Sequence, residues 1–143
     1  MYNFPMQVNV YTDGGSRGNP GHSGYGIVVY DDNQNILFKE SKYLGIKTNN
    51  EAEYAGLVGA LTWIKENKKS FKISQINFFA DSQLMIRQMQ GFYKVKAPNL
   101  IPIFKKAKEL TNCISLPIIF QDLRRESNIL ADELANKAMD LKS

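Results

Sequence analysis

The sequence predicts an α/β protein. Its expected core is a mixed five-stranded sheet, three antiparallel strands and then parallel ones, with helices on both faces. Three observations predict this. Three strand-like segments follow one another near the start, joined by connections rich in turn formers, which makes them antiparallel neighbours. Two later strand-like segments alternate with helical periodicity, the pattern of parallel crossovers. Finally, 143 residues suffice for one hydrophobic core, and no repeat, low-complexity stretch or linker divides them, so residues 1–143 are expected to form a single domain.

The first strand runs from Val8 to Asp13. Alternation puts Asn9, Tyr11 and Asp13 on one face and Val8, Val10 and Thr12 on the other. Gly14 to Gly21 reads as a loop. Tyr25 to Tyr30 is the second strand, Asp31 to Asn35 a hairpin loop, and Ile36 to Leu44 the third strand. Thr48-Asn49-Asn50-Glu51 has the form of a capping box. The helix it opens carries Tyr54, Leu57, Val58, Leu61 and Ile64 at helical spacing. Gly56 and Gly59 inside it cost about 1 kcal/mol each relative to alanine, so they are expected to permit close packing against the sheet. Lys65, Lys68, Lys69 and Lys72 near its end suit a negative helix C-terminus. Ile73 to Ala80 is the fourth strand, running straight into Asp81. Gln83 to Gln90 and Asn99 to Thr111 are helices, Leu116 to Leu123 is the fifth strand, and Arg124 to Asn128 is a connector. The last helix ends near Leu141, with Leu130, Leu134, Ala138 and Leu141 on one face.

Composition narrows the function classes. No apolar run approaches the roughly 18–20 residues that span a membrane, and Met1 to Pro5 lacks the basic start and apolar core of a secretory signal. The lone Cys113 can form neither an internal disulfide nor a thiolate metal cluster, which suits a reducing, cytoplasmic setting; it is expected to be a small packing residue. A net charge of +4 permits a polyanionic partner without demanding one. A monomer is the default expectation.

Four carboxylates carry the chemistry. Asp13 ends the first strand, Glu53 lies early in the first long helix, Asp81 follows the fourth strand, and Asp132 lies early in the last helix. Each has a plainer reading: Asp13 opening a turn, Glu53 or Asp132 favoured near a positive helix start, Asp81 as a helix cap. Yet carboxyl ends of parallel strands are where such sheets bind ligands. Clustered carboxylates hold protons unless a cation intervenes. Oxygen ligands without histidine or cysteine suit Mg²⁺ or Mn²⁺ rather than Zn²⁺. Two such ions about 4 Å apart serve phosphoryl transfer.

Four motifs together resemble type 1 ribonuclease H, in that family's order and over nearly the whole chain. They are Tyr11-Thr12-Asp13-Gly14-Gly15-Ser16-Arg17-Gly18-Asn19-Pro20-Gly21, Thr48-Asn49-Asn50-Glu51-Ala52-Glu53, Ala80-Asp81-Ser82-Gln83, and Arg125-Glu126-Ser127-Asn128 with Ala131-Asp132-Glu133-Leu134-Ala135. The resemblance implies a ribonuclease H-like fold. It also implies endonucleolytic hydrolysis of the RNA strand of RNA/DNA hybrids with two Mg²⁺, leaving 5′-phosphate and 3′-hydroxyl ends; Mn²⁺ is the substitute, and activity on double-stranded RNA is left open. By motif position Asp13, Glu53, Asp81 and Asp132 correspond to metal-binding carboxylates, with Glu51 only a capping residue. Gly14, Gly15, Asn19, Asn49 and Gln83 correspond to groups that touch the minor groove, and Thr48 to one that grips a DNA phosphate. Glu53 also corresponds to an acceptor for a ribose 2′-hydroxyl, the group that separates RNA from DNA.

Two departures stand out. Many bacterial members carry a histidine in the loop before the last helix. Here the only histidine, His22, is elsewhere, and the chain resembles archaeal-like members with an arginine in that loop; Arg125 fits the place best, with Arg124 its neighbour. Arginine cannot shuttle a proton but can hold a phosphate. The lysine-rich protrusion of longer members is also missing. Only Gly91 to Pro98 stands there, where Phe92, Tyr93, Lys94 and Lys96 either contact the DNA backbone or close the core with solvated lysines beside it. A non-cutting binding module gains nothing from clustered acids. An integrase or junction resolvase of this fold is not expected to carry the Thr48-Asn49-Asn50 and Asn19-Pro20-Gly21 motifs. Met1 favours a free-standing protein over a domain released from a reverse transcriptase.

Overall fold

Strand alternation around Val8 and Val10 sets the architecture. Both are fully buried, with Thr12, beneath the first helix, while the opposite face carries Asp13. The structure is a computed structural model that describes residues 4–141. Met1 and most of the N-terminal stretch read as lacking a signal lie outside those residues. The elements are β1 (Met6–Arg17), β2 (Gly21–Tyr30), β3 (Ile36–Lys47), α1 (Asn49–Asn67), β4 (Ile73–Ala80), α2 (Gln83–Met89), α3 (Ile101–Ile114), β5 (Ile118–Asp122), a 3-10 turn (Arg125–Ser127) and α4 (Ile129–Leu141). They build one five-stranded sheet in the order β3-β2-β1-β4-β5, antiparallel in its β1–β2 and β2–β3 pairs and parallel in its β1–β4 and β4–β5 pairs. The mixed sheet is as expected. Among the described residues no helix is long and apolar enough to cross a membrane.

The core lies between the sheet and α1, α2 and α3, where Val8, Val10, Ile76 and Phe78 meet Tyr54, Leu57, Leu61, Met85, Ile86 and Ala107. The capping box forms: Thr48 accepts from the Glu51 amide at 3.1 Å, and Glu51 from the Thr48 amide at 2.9 Å. Gly59 brings α1 against the sheet as expected; a Cβ there would lie 2.8 Å from the Tyr25 hydroxyl. Lys68 donates to the Ile114 carbonyl at 2.7 Å, closing the C-terminus of α3 as well as its own helix.

Several expectations are corrected. Gly14 to Gly21 is not a loop: β1 continues to Arg17 and β2 begins at Gly21, leaving a tight turn at Gly18–Pro20. Its glycines serve close approach as well as turning: Gly18 has a positive φ, and Gly14 packs against the backbone of α1. The inward face of α4 is Ala131, Ala135, Ala138 and Met139, while Leu130 and Leu134 are half-buried and Leu141 is exposed. Small side chains win because α4 presses its backbone onto glycines of β2. A Cβ on Gly26 would lie 2.3 Å from the Ala131 carbonyl oxygen, and one on Gly24 2.7 Å from the Ala138 Cβ. Cys113 is exposed, because α3 turns Ala107, Leu110 and Ile114 inward instead. Phe92 and Tyr93 are also exposed, so they do not close the core; the nearby Val95 and Ala97 pack against it. The Asn99–Thr111 helix runs instead from Ile101 to Ile114, and the fifth strand is shortened to Ile118–Asp122.

Candidate active site

Asp13 leaves β1 on the face that α4 only partly covers, beside β4, whose last residue Ala80 precedes Asp81. The parallel β1–β4 pairing therefore sets the two carboxylates side by side. Glu53 arrives from the second turn of α1. It can do so because Gly14 has no side chain: a Cβ there would sit 2.5 Å from the Ala52 carbonyl and the Glu53 nitrogen. The Gly14 amide instead donates to Glu53 Oε1 at 2.5 Å. One carboxylate oxygen from each of Asp13, Glu53 and Asp81 lies within 4.8 Å of the others. Asp132, from the first turn of α4, stands beside this trio rather than in it; it contacts Asp13, and Arg125 approaches it at 3.7 Å. Ser82, not Asp81, caps α2, so Asp81 is left for other work.

The electrostatics are those of a crowded acid cluster. Burial pushes the Asp13 carboxyl up to about 8, helped by the charge of Asp81 and by Asp132. Burial raises Glu53 well above the usual carboxylate range, with Asp13 and Asp81 adding to it and the Gly14 amide opposing. Asp81 is raised by burial too, against the pull of Arg125. Its Oδ2 is sealed from solvent and has no hydrogen-bond donor among the described residues. Three converging carboxylates, one of them with an orphaned oxygen, fit a hard divalent cation, which would offset their mutual repulsion and release the protons.

The trio floors a cleft of about 450 Å³ whose rim includes Gly14, Gly15, Asn49 and Arg125. Asn19 stands behind Asn49: the Asn49 amide donates to Asn19 Oδ1 at 2.9 Å, and the Ser16 amide to Asn49 Oδ1 at 2.7 Å. These bonds brace the β1–β2 turn against the start of α1. Thr48 is occupied by its cap, and Gln83 is exposed at the start of α2, 3.5 Å from Asp122. Of the two arginines, Arg125 lines the cleft and Arg124 does not. His22 is spent on Tyr43, at 2.6 Å.

Sequence reasoning missed two residues here. Asn128 is buried and donates to the Thr12 carbonyl at 2.8 Å, tying the connector to the strand residue before Asp13, while its own carbonyl accepts the Asp132 amide at 3.0 Å. An asparagine one residue before a helix was the available signal. Arg17 lines the cleft and pairs with Asp140 at 2.5 Å, and no sequence pattern announces that contact.

Comparison with known proteins agrees with this fold. A sequence model of the RNase H family matches residues 5–140. The bifunctional protein Rv2228c of Mycobacterium tuberculosis is 39% identical over 136 residues, which are 94% of this chain and 36% of that protein. Ribonuclease HI of Halobacterium salinarum is 35% identical over 134 residues, covering 94% of this chain and 65% of its own length. Among solved structures, LC11-RNase H1 in complex with RNA/DNA hybrid gives a TM-score of 0.87 at 40% identity, covering 94% of this chain and 97% of that one. This chain thus spans only 36% of the length of the mycobacterial relatives it matches. The chain belongs to the RNase H family, among its type 1 members.

Proposed function

We propose that this protein is an endoribonuclease that hydrolyses the RNA strand of RNA/DNA hybrids and leaves 5′-phosphate and 3′-hydroxyl ends. It would do so as a monomer in the reducing cytoplasm, with residues 1–143 as one ribonuclease H domain. The observation that carries the reading is the trio of Asp13, Glu53 and Asp81 within 4.8 Å, with an orphaned buried oxygen on Asp81. Asp13, Glu53, Asp81 and Asp132 would hold two Mg²⁺, or Mn²⁺ in their place. When bound, such ions supply a water activated at neutral pH and stabilise charge on the leaving oxygen.

The chain's own groups do the rest. The Gly14 amide fixes Glu53, whose other oxygen is left to face a ribose 2′-hydroxyl, and this selects RNA. Gly14 and Gly15 present bare backbone to the minor groove. The Asn19–Asn49 brace keeps that surface rigid, so little ordering is lost on binding. Thr48 holds a phosphate of the DNA strand, and Gln83 reaches the groove from the start of α2. Arg125, exposed at the cleft mouth and always charged, holds a phosphate and offsets its charge. Phe92 and Tyr93, exposed beside Lys94 and Lys96, offer stacking surface and charge to the DNA strand. The LC11 enzyme, whose structure was solved with a hybrid, supports this substrate class.

The test is cleavage of end-labelled RNA/DNA, RNA/RNA and DNA/DNA duplexes with Mg²⁺, with Mn²⁺ and with chelator. Cutting only the RNA of the hybrid, and only with metal, is the expected result. Binding without cutting under either metal would overturn the reading. Cutting RNA/RNA as well would extend it to double-stranded RNA.

A further inference from the structure

On the far side of the Arg125–Asn128 connector from the acids lies a second cleft, between the exposed part of the β1–β2 face and the first turn of α4. Its volume is about 220 Å³. That is below the roughly 300–1,000 Å³ of sites for drug-sized ligands, so it admits little more than one ring system. Among the described residues no charged side chain lines it, which disfavours phosphate, carboxylate or a cation as occupant. Neutral hydrogen-bonding residues, Tyr11, Tyr30, Asn9, Gln34 and Ser127 among them, line it beside an apolar patch from Val28 and the first turn of α4.

These groups are not used up by the protein. Asn9 Oδ1 accepts from Asn77 at 3.0 Å, which leaves the Asn9 NH₂ as a donor. The Tyr11, Tyr30, Gln34 and Ser127 side chains make no hydrogen bond among the described residues. The aromatic wall is held in place. Tyr11 stacks on Phe79 with ring centroids 4.9 Å apart, and Tyr30 meets Tyr11 edge-on at 5.7 Å. Donors and acceptors of both kinds, set beside rings in a small uncharged cleft, match a planar heterocycle that carries adjacent donors and acceptors.

We propose that this cleft binds a single nucleobase. The base belongs either to a free nucleoside or to an unpaired nucleotide flanking a bound duplex. Binding itself does not depend on the proposed ribonuclease activity; the second source does. Because Ser127 and Asn128 line the cleft and Arg125 belongs to the same connector, occupancy would also be felt at the acid cluster.

The test titrates metal-free protein with adenosine, guanosine, cytidine, uridine and, as a control, ribose, followed by amide NMR. Expected are shifts centred on Ser127, Asn128 and Ile129 for at least one nucleoside, with a Kd of roughly 1–5 mM, as befits so few contacting atoms. A Tyr11→Phe/Tyr30→Phe variant keeps both rings and should weaken binding at least fivefold, while its far-ultraviolet spectrum and cleavage of blunt hybrids stay unchanged. In a second arm, KM is compared for blunt hybrids and for hybrids with single-stranded RNA flanks. A flank advantage lost in the variant assigns the base to the substrate strand. No flank advantage together with nucleoside binding assigns it to free nucleosides. The proposal is overturned if no nucleoside shifts these amides, if ribose shifts them equally, or if shifts appear only around Asp13, Glu53 and Asp81. If cleavage fails altogether, the nucleoside titration still decides the matter.

Discussion

Replacing Asp13 by asparagine should make the metal-free protein more stable at pH 8, although it abolishes the proposed chemistry. The folded protein holds the Asp13 proton up to about pH 8, whereas the unfolded chain releases it near 3.8. Between those values the native state binds more protons, so its stability is fully present below about pH 4 and is lost as pH rises toward 8. Each pH unit in that window is worth about 1.4 kcal/mol for one group. The whole window sets a ceiling of roughly 5–6 kcal/mol. The neighbouring carboxyls, which also repel one another, take up part of the strain, so about 2–3 kcal/mol is expected at pH 8. For a chain of this size that corresponds to a Tm rise of roughly 6–10 °C.

The assay is thermal and urea unfolding of wild type and Asp13→Asn in chelator, from pH 4.5 to 8.5. The two should be nearly equally stable at the acid end and separate as pH rises, with the variant on top. Adding 10 mM Mg²⁺ should then lift the wild type at pH 8 and leave the variant almost unmoved, because ligand binding stabilises only the state that holds the site. Parallel pH curves, or a wild type more stable than the variant in chelator at pH 8, would refute the argument that burial and mutual repulsion keep these acids protonated without an ion.

Other perturbations test the parts around that cluster. Gly26→Ala should cost roughly 3 kcal/mol or unfold α4, since its Cβ would meet the Ala131 carbonyl at 2.3 Å; retained wild-type stability by urea titration would contradict this. Thr48→Ala should lower stability by about 1 kcal/mol through loss of the cap. It should also raise KM for hybrids if Thr48 grips a phosphate, whereas a purely structural role would move stability alone. Arg125→Ala should leave the melting curve within about 1 °C, as befits an exposed side chain in a long ion pair, and still lower kcat roughly tenfold. Arg125→Lys should recover part of that rate, and Arg124→Ala should not mimic it.

The sequence carried the parts of this structure in which one residue type has one physical meaning. Ile73–Ala80 alternates, ends at an acid and is a strand to the residue; Thr48 and Glu51 can cap each other in only one geometry, and they do. Glycine is where legibility ends. Gly14, Gly15 and Gly21 beside Asn19 and Pro20 read as a loop because the same residue serves a turn and a close approach. Here Gly14 is in a strand because the backbone of α1 must pass within reach of it. The same ambiguity hid the inward face of α4. Leucine periodicity pointed to Leu130, Leu134 and Leu141, but the glycines of β2 select a helix that presents alanine. The two errors have one cause: a glycine's meaning lies in a partner distant in sequence. That partner is also what brings Glu53 to Asp13, and through Ala131 and Ala135 it brings Asp132 beside them. The four acids could be identified one by one along the chain, yet their convergence depends on the glycines whose purpose could not be read there. Gly14 and Gly26 are therefore as necessary to the acid cluster as the carboxylates, although neither has an atom that could touch a cation through a side chain.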